Sequence, residues 1–379
     1  MNKVYISRTS SFLPNEAISN EEMEEVLGLL NGSGRIKNIV LRNNGILTRY
    51  YAINKAGEIT HTNAELTYEA IKRLFDGKIK LEDAEVMAVG TTTPDQNLPS
   101  HAAMVHGLME GSKNLEIISV SGACSAGMSA LKYGFMSVYS GMSNNAIVAG
   151  SERTSTWMSQ NKFENELEMA ASLEKNPILS FQKEFIRWML SDGAGAFLLE
   201  NKPNPDAELN IEVEWVDGLS YANEIETCMY AGAEKAEDGS IIPWSHYSSK
   251  EMSEQSIFAL KQDVKLLDKY IIEKGVQSMA ELMKKHKVNG EEVTYFLPHI
   301  SSFFFKDKLM DGIEAAGLGV TRKQLFTNLD SVGNVGAGSI FLMFDELLKS
   351  NKLKKGDKIL LSVPESARFN YVYSLLTVV

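Results

Sequence analysis

Residues 115–141, LEIISVSGACSAGMSALKYGFMSVYSG, decide how this chain is read. A β-branched apolar run gives way to small residues around Cys124. Apolar positions at helical spacing then run as far as Gly141, so the stretch predicts a buried strand, a tight turn and a helix ending at glycine. Such a turn sets Cys124 at a helix N-terminus, where unpaired N–H groups stabilise a thiolate or an oxyanion. The small neighbours Gly122, Ala123, Ser125, Ala126 and Gly127 leave room for a substrate carbonyl beside the backbone. A buried cysteine packed in a turn fits the same pattern, so this stretch alone leaves both readings open.

The pattern recurs along the chain. EVMAVGTTTPD (85–95), NNAIVAGSERTS (144–155) and GAGAFLLEN (193–201) read as strands ending in small or polar loops, and HAAMVHGLMEG as a helix between strands. This is α/β patterning. ELNIEVEWVDGLSY (208–221) opens a second half, followed by a long helix through about 251–286, the strand VTYFLPHISS (293–302) and a helix through DKLMDGIEAAG. NLDSVGNVGAGSIFLMFDELLKS (328–350) and two strands around a PESARF turn close the chain. Each half holds a strand, a small-residue loop (SGACSAGMSA or SVGNVGAGSI) and an apolar helix, which predicts two similar units about a pseudo-twofold axis with the loops meeting near the centre. Segments 156–190 and 222–256 interrupt the pattern; such excursions serve as lids, pocket walls or subunit contacts.

The chain has 379 residues, 44% of them hydrophobic, enough for a large core. Its formal charge of −11 argues against a nucleic-acid partner. Basic stretches at Arg35–Lys37, Lys261–Lys269 and Lys352–Lys358 read as solvated faces, or as contacts for an acidic partner. No run approaches the ~18 apolar residues of a membrane span, and MNKVYISRTSSFLP lacks the pattern of a secretion signal, so a cytoplasmic protein is expected. Cys124 and Cys228 are the only cysteines and have neither disulfide nor zinc spacing.

Among six histidines, His299 stands out because it ends the apolar run VTYFLPH, and strand ends are where functional side chains collect in α/β sheets. His61 and His286 read as exposed, His101 and His106 as helical core or surface residues, and His246 lies in an irregular stretch. Asn334, flanked by Gly333 and Gly336, fits a left-handed turn as well as a binding role. Glu152 follows the strand NNAIVAGS at the sheet edge expected for Cys124. There it is placed to act as a base, to pair with Arg153 or Arg187, or to lie in a subunit interface.

SGACSAGMSALKYG, LPHISS and SVGNVGAGSI, in this order and spacing, resemble the thiolase superfamily and, within it, ketoacyl-acyl-carrier-protein synthase III and its relatives. FLPNEAISNEEMEE, TTTPDQNLPSHAAMV and RWMLSDGAGAFLLE extend the resemblance over nearly the whole chain. It implies a thiolase-like fold layered α-β-α-β-α, with residues 1–205 as the half bearing the nucleophile and the inserted segment 156–190, and residues 206–379 as the half bearing the histidine and asparagine. It also implies an acyl group carried on Cys124, His299 and Asn334 binding the extender carbonyl and stabilising its enolate, no metal or organic cofactor, coenzyme A or acyl-carrier-protein thioesters as substrates, and a homodimer. The implied reaction is a Claisen-type condensation, with acyl transfer to oxygen or nitrogen and initiation of fatty-acid synthesis as alternatives. Phe303, Trp157 and Ser302 are the expected substrate contacts, with Phe304, Ser362 and Arg368 as further pocket-wall candidates. The family's histidine motif continues Gln-Ala-Asn where this chain has Ile300, Ser301 and Ser302, and its glycine-rich C-terminal turn is here VPESARFNY. With SERTS and PESARF, these departures resemble condensing enzymes of secondary metabolism, of the dialkylresorcinol or polyketide type.

Overall fold

The computed structural model describes residues 2–28, 34–75, 79–159, 186–207, 209–255 and 257–379. In chain order its principal elements are β1 (Tyr5–Phe12), α1 (Asn63–Lys72), β2 (Val86–Thr91), α2 (His101–Leu108), β3 (Glu116–Ser121), α3 (Ala126–Ser140), β4 (Asn145–Glu152), β5 (Gly193–Glu200) and β6 (Ile211–Ser220). Then come α4 (Val264–Lys285), β7 (Tyr295–Pro298), α5 (Lys306–Ala315), α6 (Ser339–Lys349), β8 (Lys358–Glu365) and β9 (Asn370–Val378). No described helix is long and apolar enough to cross a membrane.

The strands form one mixed sheet of nine, in the order β7-β8-β9-β6-β1-β5-β4-β2-β3. The two halves of this order have the same internal pattern. In the first, β3 and β4 flank β2 in parallel, β5 is antiparallel to β4, and β1 is antiparallel to β5. In the second, β7 is parallel to β8, β9 is antiparallel to β8, and β6 is antiparallel to β9. A parallel bridge from Phe296 to Leu325 stands where the first half has β3. The halves join through a short antiparallel pairing of Tyr5 and Ile6 with Glu212 and Ile211.

Helices α3 and α6 form the central layer, since α3 touches β2 and β4 of one half and also β6 and β9 of the other, while α6 touches β5, β1 and β7. Helices α1 and α2 cover the outer face of the first half, and α4 that of the second. The result is the α-β-α-β-α layering, which explains the burial pattern: β2 is buried at every residue, and α6 is buried almost all round from Ser339 to Phe344. Local capping agrees with the packing. Thr62 and Glu65 form a reciprocal capping box ahead of α1, Asp263 accepts the Lys265 and Leu266 N–H groups of α4, and Gly141 ends α3 in the left-handed region at φ 80°.

Two readings of the second half change. The long helix expected through 251–286 is divided: a short helix at Ser249–Glu254 and a strand at Lys261–Gln262 precede α4, because Asp263 caps a fresh N-terminus there. His286 is not exposed but stacks on Trp215 at 4.1 Å and lies 3.0 Å from Asp217. Of the inserted segment 156–190, residues 160–185 lie outside the described residues.

The central layer closes because glycine leaves no atom in the way. A Cβ on Gly150 would stand 2.1 Å from the Ala337 carbonyl oxygen, and one on Gly127 would stand 2.2 Å from it. Gly150→Ala is therefore expected to cost about 2 kcal/mol or more, read as a lower urea midpoint at unchanged slope. Gly107→Ala, where nothing lies within 4 Å, is expected to leave the midpoint unchanged or raise it.

Candidate functional site

Cys124 lies between the end of β3 and the first turn of α3, whose N-cap is Ser125. Asn334 occupies the matching place in the second half, in the loop before α6. The loops meet because Gly127 of α3 packs on Ala337 and Phe341. His299 follows β7, its own N–H donating to the Ser362 carbonyl at 2.8 Å so that the ring leaves the sheet where β7 and β8 end together. Cys124 and His299 share a cavity of about 610 Å³, counting the open space at its mouth.

The His299 ring is buried, and its Nε2 has no hydrogen-bond partner among the described residues. Burial lowers its pKa to about 4, so the ring is neutral at physiological pH. An unpartnered buried nitrogen costs free energy unless a ligand supplies the partner, so this atom is available to a polar ligand atom. Asn334 is not in the left-handed region: the turn conformation belongs to Gly333 at φ 77° and Gly336 at φ 48°. Its Oδ1 accepts the Gly336 N–H at 2.9 Å, which fixes the amide, and no described residue accepts from its Nδ2. The neutral imidazole is thus an available polar group in the cavity that holds the thiol, while Asn334 is not among the residues lining that cavity.

The thiol departs from the expectation of a lowered pKa. Burial pushes Cys124 up, and the nearby carboxylates of Glu365 and Glu152 push it further, outweighing the helix N-terminus. The resting group is a thiol. Cys228 is the other kind of cysteine, fully buried, with its S–H donated to the Asp263 carbonyl at 3.3 Å.

Glu152 pairs with neither arginine considered for it. Arg153 bridges to Asp95 at 3.0 Å, and Arg187 donates to the backbone carbonyls of Leu27, Gly28 and Met158. Glu152 instead accepts from Thr92 N, Thr92 Oγ1, Thr93 Oγ1 and Ala337 N at 3.0, 2.6, 2.8 and 3.2 Å. Burial raises its pKa to about 7, against the pull of those hydrogen bonds. With both oxygens engaged, it ties the Asn334 loop to the first half.

A carboxylate that the sequence reading did not single out does the same from the other side. Glu365 ends β8 as Glu152 ends β4, and its Oε2 accepts from Ala123 N at 3.1 Å and Ser125 Oγ at 2.5 Å, the residues on either side of Cys124. The replacement of a glycine-rich turn by PESARF was the available signal.

The remaining cavity wall comes mainly from α4 and the turn before α5: Leu267, Ile271, Ile272, Met279, Phe305 and Leu309. Of the residues expected there, Ser362 lines it. Ser302 and Phe304 line a neighbouring cavity of about 680 Å³ that shares Leu267 and Phe305 with the first. Phe303 packs on Gly45, and Trp157, on a short helix at Ser155–Met158, lies in neither wall. Within FFF the short helical turn rotates successive rings apart, so Phe305 takes the place expected of Phe303. Arg368 donates to the Ile225 carbonyl. One lysine of each basic stretch pairs with a glutamate, Lys37 with Glu24, Lys261 with Glu234 and Lys358 with Glu292.

Comparison with known proteins places this geometry among relatives. Residues 59–204 match the family described as "Beta-ketoacyl synthase, N-terminal domain", and residues 283–363 match "3-Oxoacyl-[acyl-carrier-protein (ACP)] synthase III C terminal". Curated relatives named beta-ketoacyl-[acyl-carrier-protein] synthase III include that of Chlorobium phaeobacteroides, 23% identical over 95% of this chain and 94% of the relative. That of Clostridium kluyveri is 24% identical over 95% of each chain. Among solved structures, the tetronic acid condensing enzyme AbyA1 superposes with a TM-score of 0.76 at 20% identity over 99% of each chain. Xanthomonas campestris OleA, solved with bound lauric acid and lauroyl-CoA, gives 0.75 at 18% identity over 100% of this chain and 99% of that one.

The raised Glu152 carboxyl has a measurable signature. Unfolded, it titrates near 4.5; folded, near about 7, so between these values the folded state holds the extra proton and this residue's contribution to stability falls as pH rises. Glu152→Gln removes that dependence. Chemical denaturation from pH 4.5 to 7.5 is expected to show the variant gaining on wild type with rising pH, by on the order of 3 kcal/mol across the window.

Proposed function

This chain belongs to the ketoacyl-acyl-carrier-protein synthase III family of acyl-transferring condensing enzymes, and on that premise we propose that Cys124, His299 and Asn334 carry its reaction. The observation that carries the assignment is the shared cavity, lined by both Cys124 and His299, whose buried Nε2 has no partner among the described residues.

The Cys124 sulfur attacks the carbonyl carbon of an acyl thioester, the carbonyl π pair moves onto oxygen, and collapse of that oxyanion expels the donor thiolate, which takes up the proton given up by Cys124. The acyl group then remains as a thioester on the protein, its chain lying along Leu267, Ile271 and Met279. A second acyl thioester enters with its carbonyl oxygen between His299 Nε2 and Asn334 Nδ2. Both are donors that carry no charge of their own and favour the charge that develops on that oxygen as the α-carbon gives up a proton to solvent, or a malonyl-type unit gives up carbon dioxide, and leaves the bonding pair in the enolate; the Cys124 thiolate released in the next step takes up a proton from solvent. Attack on the acyl-cysteine forms the carbon–carbon bond and returns Cys124 as leaving group. These steps call on no metal or organic cofactor.

Coenzyme A or acyl-carrier-protein thioesters are the proposed donors, and the proposed product is one of secondary metabolism, of the dialkylresorcinol or polyketide type. The support is the pair of departures at Ile300–Ser302 and at the Pro364–Phe369 turn from the pattern of enzymes that initiate fatty-acid synthesis. We also propose a homodimer formed through β3. It is one of the two edge strands of the sheet, and Leu98, Met104, Met136, Tyr139 and Met142 are exposed on or near the helices packed against it. Sedimentation equilibrium at micromolar concentration is expected to return twice the chain mass, and a monomer would contradict the dimer.

Incubation with a radiolabelled acyl thioester is expected to label wild type and leave Cys124→Ala unlabelled. His299→Ala is expected to keep the label on Cys124 while carbon–carbon bond formation falls about 10²- to 10³-fold. Labelling of Cys124→Ala, or a product joined through oxygen or nitrogen, would overturn the assignment.

A further inference from the structure

The cavity that holds Cys124 and His299 runs along α4 from Leu267 to Met279, three helical turns or about 18 Å apart, and its two ends are built differently. Toward Met279, α4 is fastened to β9. Tyr373 Oη donates to the Gly275 carbonyl at 2.8 Å, and Tyr371 Oη donates to the Ile271 carbonyl at 3.1 Å. Ser278 Oγ lies 2.8 Å from Tyr373 Oη, and all three hydroxyls belong to buried residues. Moving that wall means breaking buried hydrogen bonds to backbone carbonyls, which is costly. The other end is closed by side chains. Leu267, in the first turn of α4, and Phe305, which leads into α5, are among the described residues the two that line both this cavity and the neighbouring one of about 680 Å³. Neither Cys124 nor His299 lines that second cavity, whose far side opens past the exposed Ile39 and Phe304.

We infer that Leu267 and Phe305 set the longest acyl chain that Cys124 accepts. An alkyl chain is drawn into the cavity because each methylene removed from water favours binding about fourfold. That gain continues only while the walls leave room, since forcing further methylenes into packed side chains costs as much or more. Leu267 is buried, and the Phe305 ring stands edge-on to Phe304 with centroids 5.1 Å apart, so a growing chain meets a packed barrier. The barrier is nevertheless only an isobutyl group and a ring. Trimming either joins about 610 Å³ to about 680 Å³, whereas trimming a side chain at the fastened end leaves the tyrosines and the α4 backbone in place. Selectivity of this kind comes from excluding the longer chain rather than from an added contact to the shorter one.

This length limit rests on the acyl loading of Cys124 proposed above, and one series separates the two. The second-order rate of acylation of Cys124 is followed by intact-protein mass spectrometry with straight-chain acyl-coenzyme A thioesters from butanoyl to hexadecanoyl. Wild type is expected to slow at least tenfold beyond its longest accepted chain. Leu267→Ala is expected to move that limit about four carbons toward longer chains while short chains load within threefold of wild type, and Met279→Ala to move it by no more than about two. The absence of any limit in wild type, an unchanged limit in a folded Leu267→Ala variant, or a larger shift in Met279→Ala would overturn the inference. An equal rise at every length in Leu267→Ala would overturn it too, because the pair would then control entry of the donor rather than room for its chain. If Leu267→Ala does not fold, Phe305→Leu is read by the same criteria. Failure of wild type to load any chain at Cys124 would overturn the underlying function, and the length limit with it.

Discussion

Everything at the site depends on how closely two backbones approach at the centre of the molecule. The Ala337 carbonyl oxygen lies where a Cβ of Gly127 or Gly150 would be, and the Phe341 ring covers the same two glycines. Any side chain there would hold α3 and α6 apart by about the width of a methyl group. The Cys124 and Asn334 loops, each leading into one of these helices, would separate with them. Dense packing of this kind transmits small displacements rather than absorbing them.

The reciprocal glutamates add a second constraint. Glu152, from the first half, grips the loop of the second, and Glu365, from the second half, grips the loop of the first. Each buries a carboxylate without a cation, which is costly, and each offsets the cost with hydrogen bonds to backbone N–H groups and hydroxyls. For the thiol the electrostatic result is the opposite of what a helix N-terminus alone produces. Burial and the two nearby carboxyl groups hold Cys124 as a thiol at rest.

Much of this was legible because the relevant signals are local. The runs 85–95, 144–155 and 193–201 are strands because continuous β-branched and small apolar residues suit a sheet covered on both faces. Gly333 and Gly336 announce the turn that carries Asn334 because only glycine adopts their backbone angles without strain. By contrast, β1 was not read as a strand. YISRTSSF is largely polar, and its place at the seam of the sheet follows from pairing with β5 and β6, nearly two hundred residues away. The substrate wall was misplaced for a related reason: one residue of rotation in a short helical turn exchanges Phe303 for Phe305.

The sequence by itself determined the α/β class, the repeated strand–loop–helix unit, and Cys228 as one of two thiols with no local partner, and through a family resemblance it offered Cys124, His299 and Asn334 as candidates for the chemistry. The first three follow from residue type and short-range spacing, which act through backbone propensity and side-chain chemistry. Only the tertiary structure decided that two carboxyl groups without a cation partner lie near the thiol, that Glu152 anchors a loop rather than pairing with an arginine, and that α4 builds much of the cavity wall. Burial and long-range proximity set a pKa and a cavity shape, and neither is encoded in the neighbours of a residue along the chain.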